Sequence, residues 1–114
     1  MWKVVYLSEF SDWLEALPED AQDSVDAMIT LLKMEGPNLP RPYADVIHGS
    51  KLSNLKELRI QHRGHPYRAF YVFDPLRRAV VLCAGDKTGN DKRFYKEMMP
   101  LAESIYERYL QEKL

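Results

Sequence analysis

The sequence has 114 residues, 46% of them hydrophobic and 29% charged, which fits one globular domain over residues 1–114 and excludes a disordered chain. No apolar run approaches the roughly 20 residues that would span a bilayer. The start, Met1-Trp2-Lys3, is unlike a secretory leader, and the single Cys83 excludes an internal disulfide or a multi-cysteine zinc cluster, so a reducing cytoplasm is expected. The net charge of −1 is unevenly spread: residues 1–40 carry −6, residues 41–95 carry +6 and residues 96–114 carry −1. A central electropositive face that binds a polyanion is therefore expected.

Trp2 to Leu7 is β-branched and apolar and predicts a first strand. Ser8 suits a helix N-cap, and Ser8 to Leu17 predicts a short helix closed by Pro18. Pro18-Glu19-Asp20 opens a second helix, with acids in the turn where the helix dipole favours them. Ala21, Val25, Met28, Ile29 and Leu32 keep helical spacing, and Gly36-Pro37 ends the run. Residues 37–50 predict a loop. Three strands follow, Leu55–His62, Tyr67–Phe73 and Ala79–Gly85, separated by turns at Gly64-His65-Pro66 and Asp74-Pro75. Such closely spaced strands predict an antiparallel meander. Asp86 to Asn90 is a polar loop, and a helix runs from about Asp91, with Pro100 kinking it or opening its second half. The expectation is an α+β fold of order β-α-α-β-β-β-α, a helical hairpin on one sheet face and the other face partly open. Cys83, within Val80-Val81-Leu82-Cys83-Ala84, is expected to be a small buried hydrophobe.

The three histidines, His48, His62 and His65, have no metal-ligand spacing, so no metal or other cofactor is expected. Gly85-Asp86-Lys87-Thr88-Gly89 lacks the order of a phosphate-binding loop, and no nucleophile elbow is present. Cations remain. Alternation places Glu57, Arg59 and Gln61 on one strand face, and Lys56, Leu58 and Ile60 on the other. Arg68 lies on the hairpin-linked neighbour, Lys87 follows the last strand and Tyr95 lies in the final helix. An ordinary surface pair between Glu57 and an arginine is the plainer explanation for any one of these residues.

The chain resembles the RelE/ParE superfamily of type II toxins, in its HigB-like, phage-Gp49-like branch. The resemblance rests on Gly36-Pro37, Arg41-Pro42, Asn54 through Arg59, Tyr67-Arg68, Phe73-Asp74-Pro75, Gly85 through Gly89, Phe94-Tyr95 and Pro100 through Glu103. It implies a RelE-like fold and a metal-independent, ribosome-dependent mRNA endonuclease, in which a ribose 2′-OH attacks the adjacent phosphate. Such chemistry needs a base at the 2′-OH, cations on the phosphate and an acid or cation at the leaving oxygen.

By position, the resemblance implies catalytic roles for Arg59, Arg68, Lys87 and Tyr95. Arg68 falls where relatives contact the scissile phosphate, and an aromatic such as Tyr95 can stack on a displaced base. Glu57, His48, His62 and a neutral lysine are all open as the base. Lys51, Lys56, Arg63, Arg77, Arg78, Lys92 and Arg93 are candidate contacts to RNA backbone. The implied partners are mRNA at the ribosomal A site and a HigA-like helix-turn-helix antitoxin. Operator DNA is reached only through the antitoxin, and no membrane is involved. Two other functions share the fold: a ParE-like inhibitor of DNA gyrase, and a non-catalytic toxin-like module in a repressor complex.

Overall fold

The apolar run at the start yields a strand of three residues, β1 (Val4–Tyr6), in the computed structural model, which describes residues 1–113. Leu7, not Ser8, caps the next helix, α1 (Ser8–Glu15). The Leu7 N–H donates to the Val81 carbonyl at 3.1 Å, which holds Leu7 extended and leaves Ser8 as the first helical residue. Pro18 occupies the cap position of α2 (Glu19–Glu35), where a missing N–H costs nothing. Ala21, Val25, Ile29 and Leu32 are the buried stripe of α2. Gly36 ends it at φ +57, and an added Cβ there would collide with the Trp2 indole. Glycine is needed at that position for both backbone and space.

A single 3₁₀ turn, Gly36–Asn38, leads into the predicted loop, which contains a strand the sequence reading did not find: β2 (Ala44–Val46). The meander follows as β3 (Lys56–His62), β4 (His65–Phe73) and β5 (Ala79–Asp86). The five-stranded sheet has the order β1-β5-β4-β3-β2. Strands β2 to β5 pair antiparallel, and β1 adds to β5 in parallel, with Val5 opposite Val80. The chain between β1 and β5, which holds both helices and β2 to β4, supplies the long connection that parallel pairing needs.

Alternation along the strands builds a core on each sheet face. On one, Leu58, Ile60 and Tyr71 pack with Phe10, Val25 and Leu32 of the helical hairpin. On the other, Phe70, Val72 and Leu82 pack with Ala102, Ile105 and Tyr109 of α3 (Asp91–Lys113). A register shift between Phe70 and Tyr71 lets the neighbouring Leu82 and Cys83 both join this second core. Burial pushes the Cys83 thiol up to about 12, so it behaves as the small hydrophobe expected. Helix α3 continues through Pro100.

The C-terminal half of α3 is locked to the β4–β5 turn. Buried Asp74 accepts hydrogen bonds from the Arg78 backbone, the Arg78 guanidinium and the Tyr109 hydroxyl, each at 2.8 Å. The N-terminal half crosses only part of the sheet. On that face of β3 and β4, Glu57 and Arg68 are buried, Arg59 is partly exposed and Gln61 is exposed.

Candidate active site

Strands β3 and β4 pair so that Arg59 lies directly opposite Arg68. Alternation puts both on the face of Glu57 and Gln61. Two guanidiniums at opposed positions repel unless an anion sits between them. That anion is Glu57, only 3% exposed. Its Oε2 accepts from Arg59 Nε at 3.1 Å, and its Oε1 lies 3.8 Å from Arg68 Nε. Arg59 also donates to Asp45 at 3.1 Å. Asp45 is the middle residue of β2, so the unforeseen strand delivers a second carboxylate to the cluster.

The first turns of α3 complete the arrangement. Gly85 lets Phe94 approach the sheet: a Cβ at this glycine would lie 2.9 Å from the Phe94 ring. Tyr95, edge-on to Phe70, then donates its hydroxyl to Glu57 Oε1 at 2.5 Å. Burial, and after it the Glu57 carboxylate, holds the Tyr95 phenol far above its ordinary pKa, so it stays a donor. The Lys87 backbone N–H donates to the Pro66 carbonyl at 3.0 Å. Its ammonium lies 5.9 Å from the Tyr95 ring centroid, within cation–π reach, and 3.5 Å from Asp91.

Arg68 is buried and incompletely satisfied. Nη1 donates to Gln61 Oε1 at 3.2 Å and to the Tyr67 carbonyl at 2.9 Å. Nε has no hydrogen-bond partner, because the Glu57 oxygen at 3.8 Å is too far. A buried donor left open costs about 1–3 kcal/mol. It is a place where an incoming anion gains more than at a solvated arginine.

Arg59, Arg68 and Tyr95 thus meet around Glu57, and Lys87 joins them through the Tyr95 ring. The sequence left Glu57 open as a base or an ordinary ion-pair partner; the structure makes its carboxylate the centre of the cluster. Of the other candidate bases, exposed His48 lines a groove of about 240 Å³ with Glu57, Arg59 and Tyr95. His62 is on the helical-hairpin face, bonded to Ser24 at 2.7 Å and near Asp20 at 3.4 Å. That placement takes it away from the arginines. His65 pairs with Asp86 at 2.7 Å. Burial acts against the Asp86 charge, but hydrogen bonds from Thr88 and His65 outweigh it and lower the carboxyl pKa. Among the described residues, no three His, Cys, Asp or Glu side chains converge as a metal site requires.

The outer cations divide by position. Lys92 and Arg93 are exposed at the start of α3, next to the cluster, with Arg93 on Glu97 at 3.0 Å. Arg63 is exposed in the β3–β4 turn and pairs with Asp20 at 3.2 Å. Exposed Lys51 donates its backbone N–H to Glu103 at 2.7 Å. The Lys56 ammonium bonds the Pro37 carbonyl at 3.3 Å. Arg77 and Arg78 lie at the opposite end of the strands. Arg77 covers the Trp2 ring at 5.1 Å, and the guanidinium of Arg78 is held by Asp74 and Tyr109. Those two serve the fold at the β4–β5 turn, and the structure does not bring them to the cluster.

The family described as "Phage derived protein Gp49-like" matches residues 12–107. Among curated proteins, the chain is 43% identical over 107 residues to "Putative toxin HigB3" of Mycobacterium tuberculosis, covering 94% of this chain and 92% of that relative. It is 35% identical over 105 residues to "Putative toxin HigB2" of the same organism, covering 91% of this chain and 52% of the relative, so it spans about half of that protein. Among solved structures, an arginine double mutant of the E. coli toxin RelE in the free state superposes with a TM-score of 0.61 at 7% identity, covering 94% of this chain and 96% of that one. The isolated E. coli RelE toxin gives 0.60 at 11% identity, covering 86% and 98%. At such identities the structural likeness concerns the fold alone.

Proposed function

The chain belongs to the phage-derived Gp49-like family, as a HigB-like member of the RelE superfamily, and from that premise we propose that this toxin of a type II toxin–antitoxin system is a metal-independent, ribosome-dependent mRNA endonuclease. The observation that carries the reading is the Arg59–Arg68 cross-strand pair gathered around one buried carboxylate, with an unfilled donor on Arg68. Cations held in this way suit a phosphate, whose charge grows as the reaction proceeds.

In this mechanism the scissile phosphate takes the place beside Arg59 and Arg68 that the Glu57 carboxylate partly fills in the free protein. Both guanidiniums keep their charge at neutral pH and offer several donors in a rigid fork. The 2′-oxygen forms a bond to phosphorus, and the bond from phosphorus to the 5′-oxygen breaks, leaving a cyclic phosphate and a 5′-hydroxyl. His48 accepts the 2′-OH proton. It faces the groove and is free of the ion pairs that engage Glu57, and histidine suits proton transfer near neutral pH. The Lys87 ammonium donates the proton that turns the leaving 5′-oxygen into the 5′-hydroxyl, balancing the proton that His48 removes. Tyr95 holds the cluster through its hydroxyl and offers its ring to a displaced base. Lys92 and Arg93 extend the cationic surface towards RNA backbone, with Lys51 and Arg63 further out.

The partner that silences the toxin is a HigA-like helix-turn-helix antitoxin in this reading, and the site of action is the cytoplasmic ribosome. No helix of the described residues is long and apolar enough to cross a membrane. Mapping RNA 5′ ends after induction is the test. In-frame cuts within translated codons, lost in Arg68→Ala, support it. Full-rate growth and intact messages on expression without an antitoxin would sink it. Toxicity that persists in an Arg68→Ala, Lys87→Ala double variant would favour a gyrase-binding mode instead.

A further inference from the structure

Strand β2 pairs with β3 only from Lys56 to Leu58, so the outer edge of β3 beyond it is uncovered. The Arg59 N–H still reaches the Tyr43 carbonyl, at 2.8 Å. By strand alternation, the N–H and C=O of Gln61 point the same way, where no strand follows. A groove of about 590 Å³ runs along this edge. Ala27 and Met28 of α2 form one wall, Pro42 and Tyr43 the other, and Ile60 and Gln61 line the strand side. Arg59 and Arg68 also line it, which makes it continuous with the cationic cluster.

Three features specify what fits. Tyr43 is 46% exposed although it is a large aromatic, and its backbone is held by hydrogen bonds on both sides, to Pro40 and from Arg59. Its backbone is fixed and its side chain keeps a free surface, in a groove shared with the apolar Ala27 and Met28. Gln61 has a determined orientation: Arg68 only donates, so Oε1 must face it and Nε2 must point outward as a donor. The guanidiniums at the groove's end select a ligand that is anionic there and flat and apolar further in. A nucleotide has that construction: a phosphate joined to a planar ring with acceptor atoms on its edge.

We propose that this groove is a nucleobase pocket, in which Tyr43 stacks on the base flanking the scissile phosphate and Gln61 donates to its edge. The proposal rests on the nuclease reading above and adds a specificity site to it. Gln61 also bonds Arg68, so occupancy by a well-fitting base steadies the guanidinium that meets the phosphate. Base identity in the pocket is thereby coupled to cutting.

The test compares wild type with Tyr43→Ala, Tyr43→Phe and Gln61→Ala, each shown to melt like wild type. One readout is the cut-site distribution in a translating extract. The other is low-salt binding of trinucleotides with 2′-O-methyl riboses, which block the attacking group, varied at one base. Expected are a roughly tenfold loss of affinity and a flattened base preference in Tyr43→Ala, the size typical of losing one stacked base. Tyr43→Phe keeps both, because the ring remains. Gln61→Ala loses the preference. A wild type that cuts, with Tyr43→Ala cutting and binding at the same sequences and strength, overturns the pocket and leaves the nuclease. A wild type that binds in a Tyr43-dependent way and never cuts does the reverse.

Discussion

The Tyr95 hydroxyl donates to the Glu57 carboxylate at 2.5 Å, tying the first turns of α3 to the start of β3, 38 residues earlier. This bond links the C-terminal helix to both arginines, because Glu57 is the group they share. Tyr95→Phe removes it while keeping the ring. A hydrogen bond to a charged, buried group contributes about 1.5–3 kcal/mol, and this donor is half-buried, so a loss of about 1.5 kcal/mol is expected in urea unfolding. An unchanged midpoint would show that the bond contributes nothing.

Removing the acceptor is more damaging. Glu57→Ala leaves the Arg68 side chain, 10% exposed, facing Arg59 with no anion between them. Breaking a buried pair in this way costs about 3 kcal/mol. Glu57→Gln keeps the shape and removes the charge that competes with phosphate. It should bind non-cleavable RNA more tightly, with a log–log salt slope steeper by about 0.7, the value for one more phosphate contact on a single strand. RNA binding weaker than wild type in that variant would contradict the competition.

His48→Ala should cut roughly a hundredfold slower, the lower bound for loss of a general base. A wild-type cutting rate in His48→Ala, together with a roughly hundredfold loss in Glu57→Gln, would transfer the proton to Glu57.

Gly85→Ala reports on how α3 sets the site. The new methyl would press on Phe94, displacing the turn that carries Tyr95. Overpacking of this kind costs about 1–3 kcal/mol. Activity should fall by more than the stability loss explains, since Gly85 touches no substrate in the proposed mechanism. Normal cutting rates in a folded Gly85→Ala protein would show that the helix position tolerates the shift.

Acid stability has a separate source. Glu9 of α1 accepts two bonds from Arg108 of α3, at 2.6 and 2.8 Å, and the Arg108 guanidinium holds its carboxyl at about 2. A lowered folded-state pKa gives stability that is full above the unfolded carboxyl value. It fades as pH falls from about 4.5 to about 2. Both partners are partly solvated, so the pair contributes at most about 1 kcal/mol. Glu9→Gln should unfold more easily at pH 7 and match wild type near pH 2, as unfolding curves at the two pH values would show. An equal difference at both would mean that packing, not charge, is responsible.

Much of this molecule was legible in the chain because its signals are local. The apolar stripe from Ala21 to Leu32, the stop at Gly36-Pro37 and the turn at Asp74-Pro75 each reflect what a few neighbouring residues can do, whereas the turn expected over Gly64-His65-Pro66 is shorter, with His65 and Pro66 already in β4. Two local readings failed for non-local reasons. Ser8 lost the cap to Leu7 because a bond to Val81, far along the chain, set the backbone there. Residues 44–46 read as loop because three residues carry too little periodicity, and their strand exists only against β3.

By itself the sequence determined every α-helix and strand but β2 and the central positive charge, and its resemblance to the RelE/ParE superfamily singled out Arg59, Arg68, Lys87 and Tyr95 as candidates. Only the tertiary structure decided how they stand together. Strand register put the arginines face to face, Gly85 let α3 come close enough for Tyr95, and burial made Glu57 the shared partner. It also separated Arg77 and Arg78, which had counted towards the same charge, to the far end of the sheet. Charge is additive along a chain, whereas a site depends on distance, and distance between residues remote in sequence is fixed by packing.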